Sequence, residues 1–395
     1  MSRAFLSVSI VGGPSAPALL REMAKTNANM RLGLLNRSNQ NGDPAKKSEL
    51  TNLFIEELAR PREGDAHDPA RIAAQIRAIA DREVVDHLLL ECDADIPAMA
   101  FASLFVPQRD VPHPLAEVAR LTTNILAIAP SYLLDGLVSR RDTADLFSPC
   151  FIAEQLEFAS VVILEGARSD PGFELALEVV MTLNPCAEVF ELSQERLERL
   201  LGETANSFNF AAALDGAGWR KLIDGKSDRR RSNVSAFAFH SRKPFHPERF
   251  WNLLQGGLPR VFRAKGFFWL ATRMDLVGGL NQAGAESHCA AAGNWWAARD
   301  DHVRQLQMPD RTRREWRETF GDRRQALAFM GVDLDPDSLR SQLDACLLTD
   351  SEAAAGPEAW QALIDPFPSW SHHRHDHDHG CDHDHESHEH DCCHH

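Results

Sequence analysis

Through residues 5 to 200, short apolar runs alternate with stretches whose apolar positions recur at helical spacing. The runs are FLSVSIV, RLGLLNR, VVDHLLLEC, NILAIAP, SVVILEG and AEVFELS; helical patterns start at about Ala16, run from Pro69 to Ala80, cover Glu154 to Phe158 and end at Leu183. Strands alternating with helices predict an α/β domain whose mainly parallel sheet is covered on both faces, with any ligand at the carboxyl ends of the strands. Ser7 and Ser9 alternate with apolar residues at a period of two, so FLSVSIV reads as a first core strand and not as a cleaved export signal behind Arg3.

Residues 220 to 233 turn polar and basic, and the pattern then changes. NVSAFAFHS, PRVFRAKGFFWLA, ESHCAAAG and RRQALAFMGV read as strands, with helices opening at Pro247 and running from Pro336 to Cys346. Pro at both openings suits a first helical turn. The order β-α-β-β, then after a polar and aromatic insertion β-α, predicts an α+β domain, a ferredoxin-like variant. The expected organisation is a first domain over 1–220, a linker over 221–232, a second domain over 233–370 and a tail over 371–395.

Composition narrows the function. The chain has 395 residues, 44% apolar and 25% charged, and a formal charge of −15. Residues 372–395 hold seven acids and one arginine, leaving 41 basic against 50 acidic side chains, a formal −9, for the rest. That balance gives no footprint for nucleic acid, and the basic KSDRRR at 226–231 reads as a solvated linker. No apolar run reaches the ~20 residues of a membrane span. A cytoplasmic location follows as the expectation, with Cys92, Cys150, Cys186, Cys289 and Cys346 read as buried free thiols.

The strand-loop-helix of SVSIVGGPSAPALLREM resembles a phosphate loop without its chemistry. Counted from Gly12 in G-x-x-x-x-G-K-[ST], the second glycine is Pro17, the lysine Ala18 and the hydroxyl Leu19. Gly12, Gly13, Ser15, Ala18 and Leu19 are thus the positions of a degenerate cradle, and Pro17 removes a donor. Glu91, Cys92, Asp93 and Asp95 bunch after a central strand, a candidate metal site. His240, His246 and His288 read as structural before they read as ligands, and Lys265 to Trp269 with Trp295 and Trp296 as core aromatics.

The tail carries the clearest ligand chemistry: His372, His373, His375, His377, His379, Cys381, His383, His385, His388, His390, Cys392, Cys393, His394 and His395, interleaved with carboxylates. Imidazole and thiolate are zinc's ligands, and neighbouring carboxylates can accept the second imidazole N–H. Zn²⁺ is expected, ahead of Ni²⁺, Co²⁺ or Cu, captured in many near-equivalent ways. The tail lacks any hydrophobic period, cannot build a core and is expected to be disordered.

Several segments resemble the CobW family of metal-handling P-loop GTPases, the metallochaperones: SRKPFHPERFW, RVFRAKGFFWLATR, AAGNWWAA, GDRRQALAFMGVDLD and LDACLLTDSE in the second domain, with VVDHLLLECDAD and EQLEFASVVILEG in the first. The resemblance implies a P-loop GTPase-like domain, a CobW C-terminal domain, GTP with Mg²⁺ as cofactors, and metal ions, a client metalloprotein or a CobW-family paralogue as partners. This chain departs from it. The phosphate loop is GGPSAPAL; the family's glutamate survives as Glu91 but its following glycine does not; the guanine-reading N-K-x-D is Glu165-Gly166-Ala167-Arg168; and the C-x-C-C metal motif is missing from NRSNQNGDPAKKSE. The expectation is a pseudo-GTPase that binds zinc and buffers or delivers it. The alternatives are an active but atypical GTP-dependent metallochaperone, and a regulatory subunit pairing with an intact relative.

Overall fold

A computed structural model describes residues 5–36, 52–58, 69–92, 96–106, 115–141, 147–192, 194–201, 208–226 and 233–370. The chain forms two compact units, Met1–Gly218 and Trp219–His395. The helix Gly218–Ile223 begins at that boundary, so the start of the expected linker is helical.

In the first unit seven strands form one sheet: β1 (Leu6–Gly12), β2 (Leu32–Asn36), β3 (Leu53–Glu57), β4 (His87–Glu91), β5 (Ala119–Ile128), β6 (Val161–Leu164) and β7 (Glu188–Glu191). Their order is β3-β2-β4-β1-β5-β6-β7, and every pairing is parallel. Both faces are buried. Val8, Ile10, Leu88 and Leu90 pack on one side with Ile72, Ile76 and Ile79 of the helix Pro69–Arg82. Val11, Leu89, Ile125 and Ile163 pack on the other with Leu19, Leu20 and Met23 of the helix Ala16–Thr26. This is the predicted P-loop GTPase-like architecture, and it explains why β4 and β6 read as continuous apolar runs. The chain moves from β1 to one side through β2, β3 and β4 and then crosses to β5, so the order reverses at the carboxyl end of β1, where doubly wound sheets bind ligands. β3 was not among the expected strands: LFIEE is a half-exposed edge segment ending in two acids, with little apolar signal.

The second unit holds a five-stranded sheet of β8 (Val234–Ser241), β9 (Val261–Phe268), β10 (Leu276–Ala283), β11 (Glu286–Asn294) and β12 (Gln325–Val332), in the order β11-β10-β9-β12-β8. All neighbours are antiparallel. β8 and β9 are therefore parallel to each other with β12 between them, a split β-α-β whose crossover is the helix Pro247–Gln255. That helix and Pro336–Cys346 cover a phenylalanine core in which Phe245 stacks on Phe250 at 4.1 Å and Phe237 on Phe329 at 5.4 Å. The expected order lacked β10. Its sequence LVGGLNQA hides the strand because Gly278 must be bare: a Cβ there would lie 2.5 Å from the Phe268 ring. Two further corrections concern thiols. Cys186 is exposed and Cys289 is only half-buried, while Cys92, Cys150 and Cys346 are buried.

One polar cluster sits inside the parallel sheet. Ser9 Oγ lies 2.9 Å from His87 Nε2, 3.0 Å from Thr122 Oγ1 and 2.7 Å from Thr123 Oγ1, and Thr122 donates to the Val8 carbonyl at 2.8 Å. Burial pushes the His87 imidazole down to about 4. The unfolded chain takes up this proton near pH 6.5 and the folded chain only near 4, so the stability His87 contributes is complete above about pH 6.5 and lost as pH falls toward 4. Denaturant unfolding at pH 7.5 and 4.5 is expected to differ by roughly 2–3 kcal/mol from this group alone, and His87→Asn is expected to flatten that slope.

Candidate functional site

The carboxyl end of β1 is built for close contact. A Cβ on Gly12 would lie 2.2 Å from Cys92 Sγ. Gly13 has φ +96°, and a Cβ there would lie 2.4 Å from the Ala127 carbonyl oxygen. Only glycine fits either position. The loop's donors are turned inward. The Ser15 N–H donates to the Ala127 carbonyl at 3.3 Å and the Ala16 N–H to the Gly13 carbonyl at 3.0 Å, while Pro14 and Pro17 have no N–H. Positions 14 to 17 therefore present no unengaged backbone donor, and the Ser15 hydroxyl makes no cap bond. Ala18 is exposed. Leu19, at the hydroxyl position, is 1% exposed and belongs to the core between helix and sheet.

Neighbouring strand ends add carboxylates. Glu91 closes β4 in register with Val11 and is half-buried. The Cys92 thiol donates to Gln155 Oε1 at 3.9 Å, and the same oxygen accepts the Ala98 N–H at 3.1 Å. Asp93, Asp95 and most of NRSNQNGDPAKKSE lie outside the described residues. After β6, Gly166 has φ +100° and Asp170 accepts the Ala167 N–H at 2.8 Å. Arg168, at the position of the base-reading acid, donates to Glu191 at 2.7 Å and lies 3.7 Å from Glu174. A cavity of about 470 Å³ sits at the amino ends of β6 and β7 beside the middle of β5, lined by Thr123, Ser160, Asn184, Glu188 and Arg199 among others. Asn184 there is already engaged, donating to the Leu156, Glu157 and Ala159 carbonyls.

In the second unit His246 caps the helix Pro247–Gln255. Its N–H donates to the Cys346 carbonyl at 2.8 Å, its Nδ1 is buried without a hydrogen bond, and burial, then Arg249, holds its imidazole below the usual range. Burial pushes the Cys346 thiol up to about 11. Arg249 reaches Glu352 at 2.7 Å, and this bond holds the Glu352 carboxyl down to about 2. Glu352 also completes a capping box with Thr349, which the sequence pattern T-x-x-E announces. His240 is lowered by burial and by Arg324. His288 is exposed, 2.7 Å from Glu286. Trp269 and Trp295 are buried, and Lys265 lies over the Trp219 ring at 5.5 Å. Within either unit, no three His, Cys, Asp or Glu ligand atoms among the described residues lie within 4.8 Å of one another. All fourteen tail ligands lie outside the described residues, as do residues 227–231 of KSDRRR. His87 and the Arg249–Glu352 tie were missed in the sequence, since only the fold brings their partners together.

The two units define a class: a P-loop GTPase-like parallel sheet followed by an antiparallel α+β domain. Residues 234–347 match the family model described as the cobalamin synthesis protein cobW C-terminal domain. The second unit therefore carries a CobW C-terminal domain. It is 25% identical over 378 residues to zinc-regulated GTPase metalloprotein activator 1 of Dictyostelium discoideum, covering 90% of this chain and 78% of that one. It is 37% identical over 142 residues to a zinc chaperone of Mycobacterium tuberculosis, covering 35% of each. Among solved structures it is similar to the Zn(II)-bound YjiA GTPase from E. coli, at 14% identity and a TM-score of 0.36, over 87% of this chain and 100% of that one.

Proposed function

We propose that this protein binds zinc and buffers it or delivers it to a client metalloprotein, and that it does so without a GTP cycle of its own. The observation that carries the second half is the build of the first loop. Two prolines, two engaged N–H groups and a core leucine occupy the places where a working loop offers backbone donors and a Mg²⁺-ligating hydroxyl. With Ala18 in the lysine position and Arg168 tied to glutamates, a triphosphate meets neither its usual cation nor its base-reading acid. Metal handling is supported by the CobW C-terminal domain match, by the names of the Dictyostelium and mycobacterial relatives, and by the ligand-dense tail. The protein's own residues then do coordination and release. Imidazole and thiolate capture the ion, and exchange among many equivalent ligand sets lets it pass on.

Titration with a fluorescent GTP analogue and Mg²⁺ is expected to give no saturable signal in the micromolar range. Saturable micromolar binding, or zinc-dependent phosphate release from GTP, would instead identify an active atypical GTPase.

A further inference from the structure

The insertion between β11 and β12 gathers guanidinium groups on one turn. Arg242, just past β8, donates from Nη2 to the Glu315 carbonyl at 2.8 Å and from Nη1 to the Arg323 carbonyl at 3.3 Å. Reciprocal backbone bonds of 3.0 and 2.8 Å between Arg317 and Gly321 close the turn. Between residues 311 and 324 six arginines stand among three acids, in a chain that is acidic overall. Glu315 is shared by Arg311 and Arg324, at 3.4 and 3.0 Å, and Asp322 is engaged by the Trp296 and Ala297 N–H groups. Arg313, Arg314 and Arg317 are exposed and have no carboxylate partner among the described residues. Crowding is felt nearby, since burial and then Arg324 and Arg317 lower the proton affinity of Arg242.

The last described residue is linked to Arg323, two residues past this turn, through Arg273 and Met274. The guanidinium of Arg273 lies 4.1 Å from the ring centroid of Trp370, the last described residue. Arg323 donates to the carbonyl of Met274, the next residue, at 2.6 Å. The first acid beyond, Asp376, follows six residues after Trp370, a reach of about 20 Å when extended. Isolated surface ion pairs are weak, but a short tether supplies a millimolar effective concentration and several pairs act together.

We infer that the exposed arginines of the helix Asp310–Glu315 and of the turn after it hold the chain's own acidic segment, residues 376–391, against the second unit when no metal is bound. The contact is electrostatic and independent of the zinc reading, so it is tested on metal-stripped protein. The full chain is compared with a full-length variant whose seven tail carboxylates are amides, Asp→Asn and Glu→Gln, by mass-spectrometric rates of phenylglyoxal modification at each arginine. At 10 mM salt, Arg313, Arg314 and Arg317 are expected to react at least threefold more slowly in the natural chain, with the ratio returning to one at 0.5 M salt. Arg260, exposed elsewhere on the unit, is the control and should not differ. Equal rates at low salt, equal slowing at Arg260, or protection by added phosphate in both chains with no effect of the tail would overturn the inference. The last outcome would mean that the turn reads small anions from solution.

Discussion

Leu19→Ser is expected to destabilise the first unit by about 3 kcal/mol and to gain no GTP binding. In a phosphate loop this position carries a hydroxyl facing Mg²⁺; here the side chain is 1% exposed and packs with Val11, Leu89 and Ile125 under the helix Ala16–Thr26. Serine removes most of the buried apolar volume and leaves a hydroxyl in an apolar site, so the loss should at least match that of Leu19→Ala. Ala18→Lys is exposed and should change stability by less than about 0.5 kcal/mol. The double variant restores the two missing side chains but not the donors lost to Pro14, Pro17 and the Ala127 carbonyl. Urea unfolding and nucleotide titration on the same samples decide the matter: a cost under about 1 kcal/mol, or micromolar affinity in the double variant, would refute the packed-loop account.

The second large effect is on metal content. A chain ending at Trp370 loses eleven histidines and three cysteines, which at four ligands per ion corresponds to about three zinc ions. Elemental analysis after dialysis is expected to show the full chain retaining roughly that number and the shortened chain close to none. Because protons compete for imidazole, retention by the full chain should decline as pH falls from about 7 to 5.5. Thiolate ligands from Cys381, Cys392 and Cys393 should hold the last ion longest as pH falls, so Cys→Ser at these three is expected to abolish that late-retained fraction. Equal zinc in both chains would move the metal site into the folded units.

The legible parts of this protein are those where one residue type has one physical reading. The apolar runs of β4 and β6, set between helical patterns, read as strands buried on both faces, and the parallel sheet followed from that alternation. Prolines at 247 and 336 marked helix starts that the structure places at those residues. The missing lysine and hydroxyl were visible as letters. What was not visible depended on three-dimensional neighbours. The double glycine of β10 looks like a turn until the Phe268 ring that lies across it is known. His87 looks like one polar residue in an apolar run, yet its environment comes from serine and threonine on two other strands. The inward donation of Ser15 and the crowding of Arg242, Arg317 and Arg324 required the backbone trace. The letters identify what the loop lacks, and the fold shows that packing fills the same space.

The place of β12 between β8 and β9 sets a schedule for biosynthesis. Residues 234 to 294 emerge from the ribosome about thirty residues before the strand that must slot into their centre, so the two pieces of sheet face one another across an open seam until residue 332 has been translated. A nascent chain released before that point would expose the phenylalanines of β8 together with unsatisfied strand edges, and would be a substrate for chaperones or proteases and not a smaller version of the domain.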